Sequence, residues 1–590
     1  MENLKKISGK DFVDKNSQIL IKSDFHVTDV VVIRVDKYLR IELSNCYFER
    51  GIFINGKERS TNVDILLEKC KSSVIVFNHV NINENNSSIT LYEVNTRKLA
   101  FENTIASISI ARKCSITEFN SSFSSTNDFE ATEYNPLSFE QSEIEHLHIE
   151  ADSLPIDNIF IEDCNIGVFE LEVKRLLTEI NINKSKVNEI EIIKSSIIGE
   201  LRLGGLTEIE TLRFQDSEIH FDLSFNGVIE EIIFLRIKLF GRFDFYHPVL
   251  YKKFFLDRVT TEQDIEIQVS SETEYIDISN CTFNQKLEVQ NHESTKVNND
   301  YLSFYLDSIL EGEVYIKNVE CLSIDFKGYS RGRVTLEEFT SKLIVFNEYV
   351  NEGFLRIREL KKHKSGFNAM ITLNSILGKL EYSNIDLNTF DEVIFQKSDV
   401  SNIKFTNSRY PKNVKIESER QDLGYHLNEL SSKEKALHLS EMYRQLKVAM
   451  ESQSNRSAAL YYKSKEYFFL KKSLKFGWDK LLLYINYFSN NHGLSWSRSV
   501  LFTSLLIIVT SLLYNFSLRN SVSFQYTNFW QLFKQIIQYS FEYISTFPKL
   551  NLAQSNNYTS YTTFIVIISR IFIGFGIYQT IAAFRKYGKN

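Results

Sequence analysis

The strongest constraint on this chain is a repeat of about twenty residues built from alternating apolar positions. In "NIFIEDCNIGVFELEV" the residues Ile159, Ile161, Cys164, Ile166, Phe169 and Leu171 recur 21 residues later as Ile180, Ile182, Ser185, Val187, Ile190 and Ile192. The template is apolar-x-apolar-x-x-small-x-apolar, followed by a second alternating pair. Alternation with period two means short strands with one face buried. The template continues with lead residues Leu212, Ile232, Phe254, Ile276, Phe304, Ile324, Ile344, Ile371 and Val393, in steps of 20 to 22 apart from two of 27 and 28. Earlier, Ile41-Leu43-Cys46, Ile65-Leu67-Cys70 and Ile89-Leu91-Val94 repeat every 24. Rungs of about 20–24 residues with two or three short strands predict a parallel β-helix, in which each coil stacks on the last and buries ladders of like residues. Neither a Leu/Asn leucine-rich signature nor a five-residue period is present. We place an N-terminal cap at 1–30 and the solenoid at 31–415.

Repetition also explains the cysteines. Cys46, Cys70, Cys164 and Cys281 fall on the small-residue position held elsewhere by Ser185, Ser217 and Ser398. With Cys114 and Cys321 they make six, widely spaced and without a C-x-x-C pair, a usage that suits a reducing compartment. The start "MENLKKISGKDFVDKNSQIL" has no apolar core of a secretory signal. The solenoid is therefore expected in the cytoplasm.

Charge divides the chain in two. From residue 421 onward there are 19 Lys+Arg against 8 Asp+Glu, a balance of +11; before it, 49 against 67, or −18. An acidic body argues against nucleic acid as a partner, and a basic tail points to a membrane surface. No catalytic constellation emerges, so the chain is not expected to be an enzyme. A soluble glycan-acting enzyme would cluster acids on one face, and here they are scattered. His146 and His148 in "EIEHLHIE" alternate onto one strand face but lack a third ligand in view. The glycines of "FKGYSRGR" lack the strand–turn–helix context of a phosphate loop. No metal or cofactor is expected.

At Pro411 the strand pattern gives way to helical spacing. Ala436, Leu439, Met442, Tyr443, Leu446 and Met450 follow i, i+3, i+4, and a second run starts at Ala458 after "ESQSN". These predict a helical hairpin of tetratricopeptide type over 425–480, acting as a joint. Ser499 to Leu518 is then an uncharged stretch of 20 residues, and Tyr561 to Phe584 a second apolar stretch of 24. Each is long enough to span a bilayer. Lysine and arginine crowd outside the pair, at Lys471, Lys472, Lys475, Lys480, Arg498, Arg585, Lys586 and Lys589, which places both ends in the cytoplasm. Between the spans, 527–547 predicts a half-inserted helix with Phe529, Leu532, Phe533, Ile536 and Ile537 on one face. The two-span module covers 498–586.

The runs "YRQLKVAMESQSNRSAALYYKSKEYFFLKK", "NNHGLSWSRSV" and "GIYQTIAAFRKYGK" resemble the C-terminal module of bacterial cytoplasmic-membrane proteins. Those proteins join a cytoplasmic repeat solenoid, often of pentapeptide repeats, to a two-span ion-channel-like module. The resemblance covers roughly 433–590. It implies an inner-membrane, multi-pass location and an ion pore, although no T-V-G-Y-G-like filter occurs.

The candidate pore or membrane-buried polar residues are Arg570, Glu542, Gln579, Gly574 and Gly576. On a helical wheel Arg570 shares a stripe with Gly574, and Gln579 points to the opposite face. Glu542 is the one carboxylate side chain after Asp479, so an Arg570–Glu542 pair and a pore-lining Arg570 are both open. The reading is a membrane protein whose acidic solenoid senses or binds a protein partner and regulates an oligomeric ion pore. The alternative is a membrane-anchored solenoid scaffold without conductance. The partners implied are the lipid bilayer, further copies of the chain, and a protein on the solenoid.

Overall fold

Ile41, Ile65 and Ile89 stand directly above one another, as do Leu43, Leu67 and Leu91, each pair joined by parallel strand pairing. The same stacking relates Ile159 to Ile180 and Phe169 to Ile190. In the computed structural model, which describes 4–584 apart from short connections and the longer stretches 13–18, 57–63, 81–87, 124–136, 152–157, 245–250, 292–301, 419–430, 518–529 and 538–559, the chain divides into two compact units. The first holds Met1–Asp391 with Phe405–Tyr410; the second holds Glu392–Lys404 with Pro411–Asn590.

The first unit is a parallel β-solenoid. One stack of strands runs from Ile19–Ser23 to Lys379–Ser383, each strand pairing with its counterpart one turn away. A second stack runs beside it. Lys5–Ile7 already pairs with Phe25–Val27, so the ladder begins inside the stretch expected as a cap. The alternate residues that face inward are apolar and buried. Each such side chain withdrawn from water stabilises the fold by about 1.5–3 kcal/mol before the entropy of ordering is subtracted. Phenylalanines stack along the axis, with ring centroids 4.7 Å apart for Phe77–Phe101 and 4.9 Å for Phe214–Phe234.

The turns explain the sequence template. After the first strand of a rung comes a residue with positive φ, among them Asn45 (50°), Lys69 (50°), Glu93 (51°), Gln141 (47°) and Asp163 (57°). The next residue, Cys46, Cys70, Val94, Ser142 or Cys164, turns inward and is buried. A left-handed non-glycine residue is strained. Here Asn45, Lys69, Gln141 and Asp163 each donate their N–H to the next rung, as in Asn45 to Glu68 O and Lys69 to Tyr92 O, both 2.8 Å. The cysteine thiols do the same work on carbonyls, Cys70 Sγ lying 3.3 Å from Leu43 O.

One rung changes the phase. The rung 179–200 carries the template twice, with left-handed Lys184 and Lys194 followed by buried Ser185 and Ser195. Beyond it the template follows the second corner, at Asp216, Arg236, Arg258 and Asn280. Leu212 therefore stacks on Ile190, and the partner of Ile180 is Leu201. Sequence spacing had joined two different faces into one series. A second correction concerns Ile371: Ile344 pairs with Met370, and Ile371 pairs with Val345, one position out of the expected ladder. From Val314–Lys317 onward the first corner is left-handed again, at Asn318, Glu338 and Glu359. Farther round these rungs Gly312 and Gly332 meet so closely that a Cβ on Gly332 would lie 1.5 Å from Gly312 O, which excludes any side chain there.

The second unit begins with the strand Glu392–Gln396 and continues as helices α1 (Ser432–Ser452), α2 (Arg456–Ser473), α3 (Trp478–Asn490), α4 (Trp496–Ser517) and α5 (Ser560–Phe584). A capping box starts α1: Ser431 and Glu434 bond each other's backbone N–H, a reciprocal satisfaction of orphan donors. Helices α1 and α2 pack through Tyr443 and Tyr462, and Lys447 pairs with Glu466 at 2.8 Å. They also hold the strand segment: Gln453 Nε2 donates to Ile403 O at 2.8 Å and Tyr462 OH to Pro411 O at 2.9 Å. Among the described residues two helices are long and apolar enough to cross a membrane, over Trp496–Tyr514 and Thr563–Phe584. The first starts ahead of Arg498, which sequence reading had placed outside it.

Candidate membrane module

Three successive left-handed residues, Asn491 (φ 50°), His492 (57°) and Gly493 (90°), reverse the chain between α3 and α4. Asn491 N–H closes α3 on Tyr487 O, and Asn490 Oδ1 accepts from Gly493 N at 2.8 Å. This reversal holds Asn486 and Asn490 against the end of α5. Gln579, buried at 6% exposure, donates from Nε2 to Asn486 Oδ1 at 2.9 Å and accepts from Asn490 Nδ2. Its backbone carbonyl accepts from Ser499 Oγ at 3.3 Å. Both ends of the amide are thereby satisfied, which an apolar setting demands.

The α4–α5 contact is lined by small and hydroxyl residues. Ser499, Thr503, Thr510 and Ser511 on α4 are buried, as are Ser569 and Ile573 on α5. Gly576 lies under Thr503: a Cβ there would sit 2.7 Å from Thr503 Oγ1. The hydroxyls return to their own helix backbones, Thr503 to Ser499 O at 2.8 Å and Ser569 to Ile565 O at 2.6 Å. Small faces of this kind let two apolar helices approach closely where lipid supplies no hydrophobic drive.

Arg570 and Gly574 lie on the other side of α5. Both are exposed, a Cβ on Gly574 would meet nothing within 4 Å, and Phe564, Ile567, Ile571 and Tyr578 share their surface. The structure thus brings Gln579 and Gly576 into the helix contact and sets Arg570 and Gly574 apart from it. Glu542, and most of the half-inserted helix expected over 527–547, lie outside the described residues. Of that segment Trp530, Phe533, Lys534 and Ile537 are described, all helical and exposed.

Sequence reasoning missed α3. Trp478, Leu481, Leu482 and Phe488 are its exposed apolar residues, and their helical spacing was the available signal. The polar trio Asn486, Asn490 and Gln579 joins positions about ninety apart and leaves no local trace. On the solenoid, His148 Nδ1 lies 3.0 Å from Glu170, one rung on, as an ordinary surface pair. Among the described residues no group of three or more His, Cys, Asp or Glu is placed to hold a metal ion. Comparison with protein-family models, curated proteins and solved structures finds no match.

Proposed function

We propose that this chain is an inner-membrane protein in which an acidic cytoplasmic solenoid binds a protein partner and regulates a small oligomeric ion pore. The observation that carries the reading is the exposed position of Arg570. It stands about 15 Å along α5 from Ser560 and about 21 Å from Phe584, at 1.5 Å per residue. With α5 crossing a bilayer, a guanidinium at that depth and turned away from α4 would cost roughly 2.5–3.5 kcal/mol against lipid. Facing other subunits around an aqueous path removes that cost. Two spans cannot enclose a pore, so at least three or four copies are required. Gly574, beside Arg570, leaves room for a neighbouring helix to come close. Helices α1 and α2 serve as the hairpin joint between partner reading and pore.

The test is stoichiometry in detergent followed by single-channel recording in planar bilayers. A multimer with ion currents is the expected result, and a monomer excludes the pore. A multimer without currents under all conditions, with the solenoid capturing a partner, returns the scaffold.

A further inference from the structure

Helix α3 carries an apolar face that nothing among the described residues covers. Trp478 is 82% exposed, Phe488 64% and Leu482 58%, with Phe476 just ahead of the helix at 94%. Trp496, six residues after α3 ends, opens the first membrane-length helix. Another side of α3 packs its tyrosines against a buried lysine. Lys471 is buried at 6% exposure, its ammonium 4.0 Å from the ring centre of Tyr487 and 4.5 Å from that of Tyr484. Three residues back the Phe468 ring adds a third wall at 5.2 Å.

Against the same Tyr487 ring, at 6.0 Å, sits His492, whose other neighbour is the Tyr467 ring at 5.4 Å. His492 is 7% exposed, and among the described residues neither of its ring nitrogens has a hydrogen-bond partner. Burial and the nearby Lys471 and Lys463 ammoniums push its pKa down to about 4, so at neutral pH the imidazole is uncharged. Burial and the charges of Lys472 and Lys480 likewise lower the pKa of Lys471. Among the described residues, Lys463, Lys471 and Lys472 have no carboxylate partner. A buried ammonium and an unsatisfied imidazole without an anion are costly. Such a pocket is complementary to an anion that brings several acceptor oxygens.

We propose that Lys471, Lys463 and His492 bind the phosphate of an anionic lipid headgroup, with α3 lying in the interface of the cytoplasmic leaflet. The aromatic face of α3 enters the acyl boundary, as interfacial amphipathic helices do. The lysines then meet the phosphate plane, and the His492 N–H donates to a phosphate oxygen. This assignment rests on the membrane reading above and adds to it a lipid class and a location.

The experiment uses the full chain purified in detergent, with native mass spectrometry after addition of phosphatidylglycerol or phosphatidylcholine. Wild type is expected to retain phosphatidylglycerol preferentially. Lys471→Met fills the aromatic cage without charge and lowers that retention roughly fivefold, the effect of one basic contact at a membrane surface; Lys471→Arg restores most of it. Equal retention of the two lipids, or retention unchanged in Lys471→Met, overturns the proposal. Displacement of bound lipid by millimolar inorganic phosphate overturns the headgroup assignment in favour of free phosphate. Recovery of the chain in the aqueous phase without detergent overturns the membrane reading, an outcome distinct from a lost lipid preference.

Discussion

Gln579 donates a hydrogen bond to Asn486 at 2.9 Å, tying the end of α5 to α3 across more than ninety residues of chain. With Asn490 on the other side of the amide, this contact fixes the turn, α4 and α5 as one piece. The same helix keeps Arg570 on its far side. One helix therefore has a polar face that binds its own chain and a charged face left for something else.

Gln579→Leu removes the amide and leaves buried Asn490 and half-buried Asn486 without it. Stranding a buried polar group costs about 1–3 kcal/mol. The variant is expected to unfold at lower temperature in detergent, read by tryptophan fluorescence. A wild-type midpoint would show that the trio contributes nothing to stability.

For Arg570 the two open readings give different couplings with Glu542. If the side chains pair, Arg570→Ala and Glu542→Gln each destabilise the assembly by about 3–5 kcal/mol, and the double variant is milder than the sum. If Arg570 lines an aqueous path, Arg570→Gln preserves assembly and shifts ion preference, and Glu542→Gln acts independently. A double-mutant cycle on oligomer dissociation decides. The pore reading predicts near-zero coupling with altered currents, and strong coupling with unaltered currents would remove the gate.

Within the solenoid, Ile278 is fully buried between Leu256 and Leu306 on the neighbouring turns. Ile278→Asp buries an unpaired charge and is expected to cost more than about 4 kcal/mol, seen as loss of protease resistance in the full chain. Asn284 sits at the turn with its amide 3.1 Å from Glu262 on an exposed surface. Asn284→Asp is expected to change stability by less than about 1 kcal/mol. Equal sensitivity at the two positions would contradict this register.

Topology can be read with membrane-impermeant thiol reagents. The native cysteines are a quiet background: all six are buried. Burial lifts the Cys164 thiol to about 11 and those of Cys281 and Cys321 to about 12, so these three stay protonated at pH 7–8. Ser555→Cys is expected to react from outside the cell and Lys589→Cys only after permeabilisation, following the distribution of basic residues. Reaction of both from one side would overturn the two-span reading.

The rung length and the small-residue position were legible in the sequence because each reflects a local steric rule repeated many times. What escaped was the phase. "NINKSKV" and "EIIKSSI" follow the same template within one rung, at Ile180–Val187 and Ile190–Ile197, and nothing local says which corner each one turns. Ile371 was misplaced for a related reason. Ala369–Leu373 is buried along its whole length, so alternation no longer marks the inward face. In the membrane module the helical wheel separated Gln579 from Arg570 correctly, since period alone decides that. It could not find Asn486 and Asn490, whose role depends on a reversal of three left-handed residues.

The change of corner at 179–200 also bears on how such a chain counts its turns while folding. Rungs so alike can pair one whole turn out of step and still bury apolar side chains, an error that parallel ladders with weakly distinctive strands invite. A slip across this rung is different. It would bring the first-corner turn at Asp163 against a rung that turns at the second corner, and the bonds from Asp163 N to Asn183 O at 3.1 Å and from Lys194 N to Gln215 O at 2.9 Å would be lost. The double corner at Lys184 and Lys194 works as an index mark on a periodic ruler. Misaligned turns are rejected there, so the strands on either side are held to a single numbering.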